Sequence, residues 1–223
     1  MENEIKLYNG DCLKIHDTLK NNLVDMVLVD LPYGITQNNW DFLLPLDVLW
    51  EQYRRIVKLT GAMVFTAASP FDKILSCSNL MDFKYEWIWE KTIATGHLNA
   101  KRQPLRAHEN ILVFYREQCI YNPQKTYGGT PYPNRGGKSK GDGNTNYGQF
   151  GTVRNGNTDG SRYPRTVIKF SSEKKTIHPT QKPVALMEYM IKTYTNEGDI
   201  VLDSCMGSGT TGIACKNLNR NFI

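Results

Sequence analysis

The sequence predicts an α/β fold: a doubly wound, mostly parallel sheet carrying a loop-rich insertion. Three observations lead there. Short apolar runs such as Val24–Val29 and Ile200–Leu202 read as strands buried on both faces. Segments with helical spacing alternate with them, the pattern of helices returning over a parallel sheet. Between residues 122 and 165 the texture changes to glycine and asparagine, too polar to build a core of its own. Residues 1–121 and 166–223 are therefore expected to be two halves of one domain, with 122–165 inserted between them.

In chain order, residues 5–8 alternate as a short strand that Asn9-Gly10-Asp11 ends. Val24–Val29 follows as a buried strand. Residues 46–59 have helical spacing, with Leu49, Tyr53, Ile56 and Val57 on one side. Strand 61–67, a short helix over 70–79, and strands 84–89 and 110–115 complete the first half. Residues 165–170 restore order as a strand. His178-Pro179-Thr180-Gln181-Lys182-Pro183 then opens a helix, since proline suits a first turn. Its apolar face is Met187, Met190, Ile191 and Tyr194, and Asn196-Glu197-Gly198-Asp199 ends it. Ile200–Leu202 is a parallel-type strand, 210–218 a helix, and 221–223 the start of another strand.

A chain of 223 residues with 40% hydrophobic content is globular and buries a substantial core. The net charge of +5 is unevenly placed. From Lys91 to Lys175 basic residues exceed acidic ones by 10, so the remainder is net acidic. A basic middle segment fits a polyanion such as nucleic acid, and a solvated surface accounts for the same charge. Five cysteines without C-x-x-C spacing indicate neither a disulfide framework nor a zinc site. No signal peptide or apolar run of spanning length is evident, which fits a reducing, cytoplasmic setting and no membrane.

Within the insertion, Arg135, Lys138, Lys140, Arg154, Arg162 and Arg165 are interleaved with Tyr127, Tyr132, Tyr147, Phe150 and Tyr163. Cations track phosphates and aromatic rings stack on bases, so these six are candidate DNA contacts. A surface loop is the alternative.

Two loops carry the chemistry. Asp203-Ser204-Cys205-Met206-Gly207-Ser208-Gly209-Thr210 puts an acid and two glycines between a strand and a helix, where open α/β sheets bind ligands. No lysine follows Gly209, so the phosphate-binding P-loop pattern fails and a neutral or zwitterionic nucleoside fits better. Asp30-Leu31-Pro32-Tyr33 follows a buried strand. An exocyclic amine on a base is a poor nucleophile because its lone pair is delocalised into the ring. A carboxylate and the Leu31 carbonyl accepting its two hydrogens would pull the nitrogen toward tetrahedral geometry. Pro32 would fix the backbone and Tyr33 would stack on the base. In a duplex that base must first be flipped out.

Asp30-Leu31-Pro32-Tyr33-Gly34 near the start, His178-Pro179-Thr180-Gln181-Lys182-Pro183 before a helix, and the glycine loop near the end resemble, in that order, the β-group of DNA amino-methyltransferases. The resemblance covers essentially the whole chain. Residues 30–41 and 96–116 are especially similar to phage and prophage adenine methylases. It implies the fold of S-adenosylmethionine-dependent methyltransferases with permuted motif order, and a target-recognition region between the two loops. Carried over by position, it implies S-adenosylmethionine held by Asp203, Gly207, Gly209 and Thr210. Asp11 would lie toward the cofactor's adenine side and Thr180, Gln181 and Lys182 near its methionine end. Asp30, Leu31, Pro32 and Tyr33 would form the catalytic loop, with Asp30 either removing a proton or accepting a hydrogen bond. No metal is required, and His178 reads as structural. Double-stranded DNA is the implied partner of a monomer or homodimer.

Two departures stand out. Leu31 replaces a proline found in many relatives, but its carbonyl survives. The family continues past a strand like 221–223 into Gly-Ile-Glu, whose acid binds the ribose hydroxyls, and the sequence ends at Ile223. Losing such bonds costs about 1.5–3 kcal/mol, roughly ten- to a hundredfold in affinity. The leading expectation is N6-adenine methylation at a short DNA sequence. N4-cytosine methylation is the alternative, and a catalytically impaired DNA-binding remnant truncated after Ile223 is the third reading.

Overall fold

A computed structural model describes residues 3–34, 42–132, 157–172 and 181–223. The chain runs α1 (Cys12–Thr18), β1 (Val24–Val29), α2 (Leu46–Ile56), β2 (Val57–Ala67), α3 (Phe71–Ser78), β3 (Phe83–Thr95), β4 (Arg106–Phe114), β5 (Val167–Phe170), α4 (Val184–Tyr194), β6 (Ile200–Leu202), α5 (Thr210–Asn217) and β7 (Asn221–Phe222). The strands form one sheet in the order β5-β3-β4-β2-β1-β6-β7. β1 pairs in parallel with β2 and β6, β6 with β7, and β3 with β5, whereas β4 runs antiparallel between β2 and β3. The sheet is mixed and mostly parallel.

Alternation along the central strands divides the core in two. Val27 and Val29 of β1, Met63 and Phe65 of β2, and Leu112 and Phe114 of β4 pack with Leu49, Trp50, Tyr53 and Phe71 of α2 and α3. Met26, Leu28, Val64, Ile111 and Val113 face the other way, toward Leu186, Met187, Met190 and Ile191 of α4 and Ala214 of α5. Each face is covered by helices, which is why these strands read as unbroken apolar runs.

Several boundaries differ from the sequence reading. The helix expected over 46–59 stops at Ile56, and the chain enters β2 directly at Val57. Between Val24↔Val57 and Met26↔Ala62 the register breaks, leaving extra residues on β2 beside Gly61. A side chain at Gly61 would stand 2.6 Å from Val57 Cγ1 and 2.9 Å from the Asp25 carbonyl, so only glycine fits. β3 and β4 both extend well beyond the apolar segments expected at 84–89 and 110–115. Residues 5–8 contribute one parallel bridge, Ile5 to Phe222, instead of a strand. Helix α1 has no counterpart in the sequence reading.

The chain divides into two compact units. One comprises Met1–Asn122 and Arg165–Ile223, the other Pro123–Pro164. Within the second, antiparallel bridges join Thr126 to Arg162 and Tyr132 to Asn157. Among the described residues no helix is long and apolar enough to cross a membrane, and no cluster of side chains is placed to hold a metal ion.

Candidate active site

Asp30 is the first residue past β1, at the carboxyl edge of the sheet. Its Oδ1 accepts hydrogen bonds from the Tyr33 hydroxyl at 2.7 Å and from Thr66 Oγ1 at 2.5 Å. Its Oδ2 accepts one from Lys182 Nζ, also at 2.5 Å. Lys182 stands just ahead of α4, and its ammonium also lies 3.5 Å from Glu109 Oε2 on β4. Lys91, on β3, contacts the other Glu109 oxygen. Charges therefore alternate from Asp30 through Lys182 and Glu109 to Lys91. Asp30 keeps 27% of its side-chain surface exposed, against 11% for Lys182 and 13% for Glu109, so it is the member an incoming group would meet.

The electrostatics of this row are mutual. Burial would push the Glu109 carboxyl up, but Lys182 and Lys91 hold it below the usual carboxylate range. Burial would push the Lys182 ammonium down, but Asp30 and Glu109 hold it above the ordinary lysine value. Tyr33 is half-buried next to Asp30 and Glu109, and desolvation with these two negative charges raises its hydroxyl well above 10. It therefore stays protonated and donates. The Tyr33 ring stacks on Phe71 of α3 with centroids 5.1 Å apart and planes 23° apart. Leu31 is 3% exposed and anchors the loop in the core, while its backbone remains at the sheet edge.

The second loop lies on the neighbouring strand. The pairing of Val27 with Leu202 brings Asp203 close to level with Leu28, so both acids stand on one edge of the sheet. Asp203 Oδ1 accepts from the Cys205 amide at 3.0 Å, and its own amide donates to the Ile223 carbonyl at 2.9 Å. Burial is the main cause that raises its carboxyl to about 7. A hydrogen bond from Thr211 and the Cys205 amide pull the other way, and the negative charge of Asp30 adds to the rise. Gly207 and Gly209 have φ of +50° and +75°, and Gly209 caps α5, whose first residue is Thr210. Nothing lies within 4 Å of where either Cβ would be. A ligand can thus approach this backbone closely.

A cleft beside the loop is lined by Tyr8, Gly10, Cys12, Asp203, Met206 and Ile223, among others. Asp11 lies between two of these, and its Oδ1 caps α1 by accepting from the Leu13 amide at 3.0 Å. An acid that can accept from an amino group, an open glycine backbone and a partly apolar cleft fit an amino-acid-bearing nucleoside.

The sequence reading puts Lys182 near the cofactor's methionine end, and the structure ties its ammonium to Asp30 and Glu109. Gln181 precedes it, half-buried. Thr180, Arg135, Lys138, Lys140, Arg154 and His178 lie outside the described residues. Arg165 is exposed. Arg162 is engaged partly by its own unit: it donates to the Thr130 carbonyl at 2.5 Å and lies over the Tyr132 ring at 5.0 Å.

Sequence reasoning missed Thr66, Glu109, Lys91 and a second polar group. His16 of α1 shares a 2.9 Å hydrogen bond between its Nε2 and Ser204 Oγ, and the Tyr53 hydroxyl reaches the same oxygen at 2.9 Å. The His16 Nδ1 is buried without a hydrogen-bond partner. If Tyr53 donates to Ser204 and Ser204 donates to Nε2, Nδ1 is the one unsatisfied atom. The reverse order would also strand the Tyr53 proton. A threonine in an apolar strand and an acid opening one are visible signals for Thr66 and Glu109. His16 offers none.

A mixed, mostly parallel sheet covered by helices, with a glycine loop and an acid-led turn at adjacent strand ends, has the architecture of S-adenosylmethionine-dependent methyltransferases. The family model described as DNA methylase, covering N6 and N4 amino-methyltransferases, matches residues 24–223, and the chain belongs to that family. The type II methyltransferase M1.MboII of Moraxella bovis is 30% identical over 244 residues, covering 98% of this chain and 90% of that protein. The solved complex of M1.HpyAVI with SAM is 30% identical, with a TM-score of 0.63, covering 98% of this chain and 92% of that one. The cytosine-N4-specific PvuII DNA methyltransferase superposes with a TM-score of 0.70 over the whole chain and 82% of its own, at 14% identity, a likeness of fold.

Proposed function

We propose that this methylase transfers the methyl group of S-adenosylmethionine to N6 of an adenine turned out of double-stranded DNA, at a short specific sequence. The observation that carries the reading is the Asp30 carboxylate, held by three donors yet partly exposed, at the strand end next to the half-buried cofactor-loop acid Asp203. A carboxylate has about four acceptor positions. Tyr33, Thr66 and Lys182 take three and fix its orientation, leaving one for an amine hydrogen. The Leu31 carbonyl takes the second hydrogen. Phe71 backs Tyr33, giving a supported ring for the base to stack on.

When bound, S-adenosylmethionine supplies an electrophilic methyl group on a sulfonium. Asp203 would accept from its amino group, Gly207, Gly209 and Thr210 would line its path at the head of α5, and Asp11 and Gln181 would flank it. Positive charge develops on the amine as it gains the methyl group, the Asp30 carboxylate stabilises it there, and one amine proton would then leave to solvent by way of that carboxylate. Catalysis is otherwise alignment of nitrogen, methyl and sulfur. The acid-led loop favours adenine, because N4-cytosine enzymes of this resemblance more often begin with serine. The same polarisation would serve cytosine. Exposed Arg165 and the basic residues of the insertion would contact phosphates.

Sequencing of modified positions in DNA from cells expressing the protein tests the proposal. Methyladenine confined to one short sequence is expected. Methylcytosine at such a sequence would replace adenine with the alternative base, and unmodified DNA would refute both.

A further inference from the structure

We propose that the β3–β4 hairpin tip faces the DNA duplex and that Leu98 enters the base stack to occupy the space the target base leaves. The inference rests on the DNA-methylating function proposed above and adds the element that opens the duplex.

The topology fixes where the tip lies. β3 is antiparallel to β4, and β4 to β2, so β3 runs in the same direction as β2 and β1. The connection from Gly96 to Leu105 therefore emerges at the sheet edge that carries Asp30. The same hairpin supplies Lys91 and Glu109, which reach Asp30 through Lys182. The register sets Asp30 level with Thr66 and Ile111, and Arg106 is five residues farther along β4, so the tip projects past the catalytic carboxylate by about 17 Å at strand rise, far enough to reach into a duplex whose base lies on Asp30.

The tip is ordered but unpacked. The amides of Asn99, Ala100, Arg102 and Gln103 donate to the carbonyls of Gly96, His97, Asn99 and Asn99 at 2.8–3.1 Å. Every residue from 95 to 108 is nevertheless exposed. Leu98 is 102% exposed, fully free of the protein, and Ile93 is 68% exposed. Between residues 93 and 108 the chain has Lys101, Arg102 and Arg106 and no acid. One exposed leucine is ordinary on a protein surface. A leucine held at the end of an ordered arm, whose charged residues from 93 to 108 are all cationic and which extends beyond the carboxylate proposed to bind the amine, is matched to a polyanion with an apolar interior. Apolar side chains wedged between base steps are a known way to offset unstacking, and a flipped base leaves such a gap.

The test uses a duplex bearing the sequence that wild-type protein methylates, and the same duplex with an abasic site opposite the target base, where extrusion is already easy. Leu98→Ala should lose ten- to a hundredfold in kcat/KM on the paired duplex and recover to within threefold of wild type on the abasic one. Cofactor binding and Tm should not change, because Leu98 packs against nothing. Normal activity on the paired duplex, or a defect equal on both, would overturn the proposal. So would self-association of wild type that Leu98→Ala abolishes while activity stays normal, which would make the tip a protein contact. Failure of wild type on both duplexes would instead overturn the reaction assigned above, and the wedge with it.

Discussion

Lys182 Nζ lies 2.5 Å from Asp30 Oδ2 and 3.5 Å from Glu109 Oε2, so one ammonium joins the end of β1 to β4 from the head of α4. Two carboxylates this close would repel without it. The cation lets both stay near the position proposed for the amine, and Glu109 in turn shares the Lys182 charge, so that Asp30 does not face it alone.

Glu109→Gln removes one charge from that row without removing its shape. Lys182 and Lys91 should then set their charge against Asp30 alone and weaken its hold on an amine hydrogen. We expect kcat to fall about ten- to a hundredfold, the consequence of about 1.4–2.8 kcal/mol in the barrier, with cofactor affinity within threefold. Steady-state kinetics alongside calorimetry of cofactor binding would check this. An unchanged kcat would mean that Glu109 is only a structural counterion.

With Asp203 as the proposed acceptor for the cofactor, folding and binding make opposite demands on its carboxyl. Its carboxyl is raised from 3.8 to about 7 by burial, so its ionisation works against the folded state. Stability from this group is complete below about pH 4 and is lost as pH rises through about 7. Asp203→Asn should therefore be more stable than wild type in urea unfolding at pH 8, with the gain shrinking toward pH 5. Wild-type affinity for S-adenosylmethionine should strengthen from pH 6 to 8 as the acceptor ionises, and the variant should be weaker and flat across that range. An equally steep profile in the variant would assign the titration to another group.

His16 has the reverse sign. Burial and then the Arg55 charge hold its imidazole down to about 4, below its ordinary 6.5. Its contribution is present above pH 6.5 and is lost as pH falls through 4, on the order of 3 kcal/mol in all. His16→Gln keeps a donor and an acceptor near Ser204 without the titration. It should flatten the fall in stability between pH 6.5 and 4.5 that wild type shows in urea titrations. An identical fall would show that the imidazole does not govern acid sensitivity.

Alanine at Arg135, Lys138 and Lys140 together should weaken DNA binding and reduce the slope of log affinity against log salt by about 0.9 for each phosphate no longer neutralised. Fluorescence anisotropy at several salt concentrations measures both. Unchanged affinity and slope would reduce the basic insertion to a solvated loop.

What is legible in the sequence follows from what local chemistry encodes. Val24–Val29 and Ile200–Leu202 are readable to the residue because helices cover both faces of those strands. The outer half of β3, from Lys91 to Thr95, is not, because it leaves the layered core and its residues are largely exposed. Helix α1 buries only His16, so no apolar period announces it. The antiparallel course of β4 depends on the short connection from β3, not on the composition of the strand. Asp30 and Tyr33 are three residues apart and are found together. Lys182 is 152 residues from Asp30, and only the fold brings them into contact. Glu109 belongs to a segment that the resemblance covers, but its role emerges from the pairing of β3 with β4, which sets it opposite Trp89 and within reach of Lys91.

Asp30 is the residue proposed to direct methyl transfer to the amine of adenine. Wild type and Asp30→Ala, each incubated with methyl-labelled S-adenosylmethionine and mixed-sequence duplex DNA, followed by digestion to nucleosides, test it most directly. Label in N6-methyladenine with wild type, none with Asp30→Ala, and cofactor affinity of the variant within a few-fold are the predicted result. Label in methylcytosine, no label with wild type, or near-normal turnover by Asp30→Ala would contradict it.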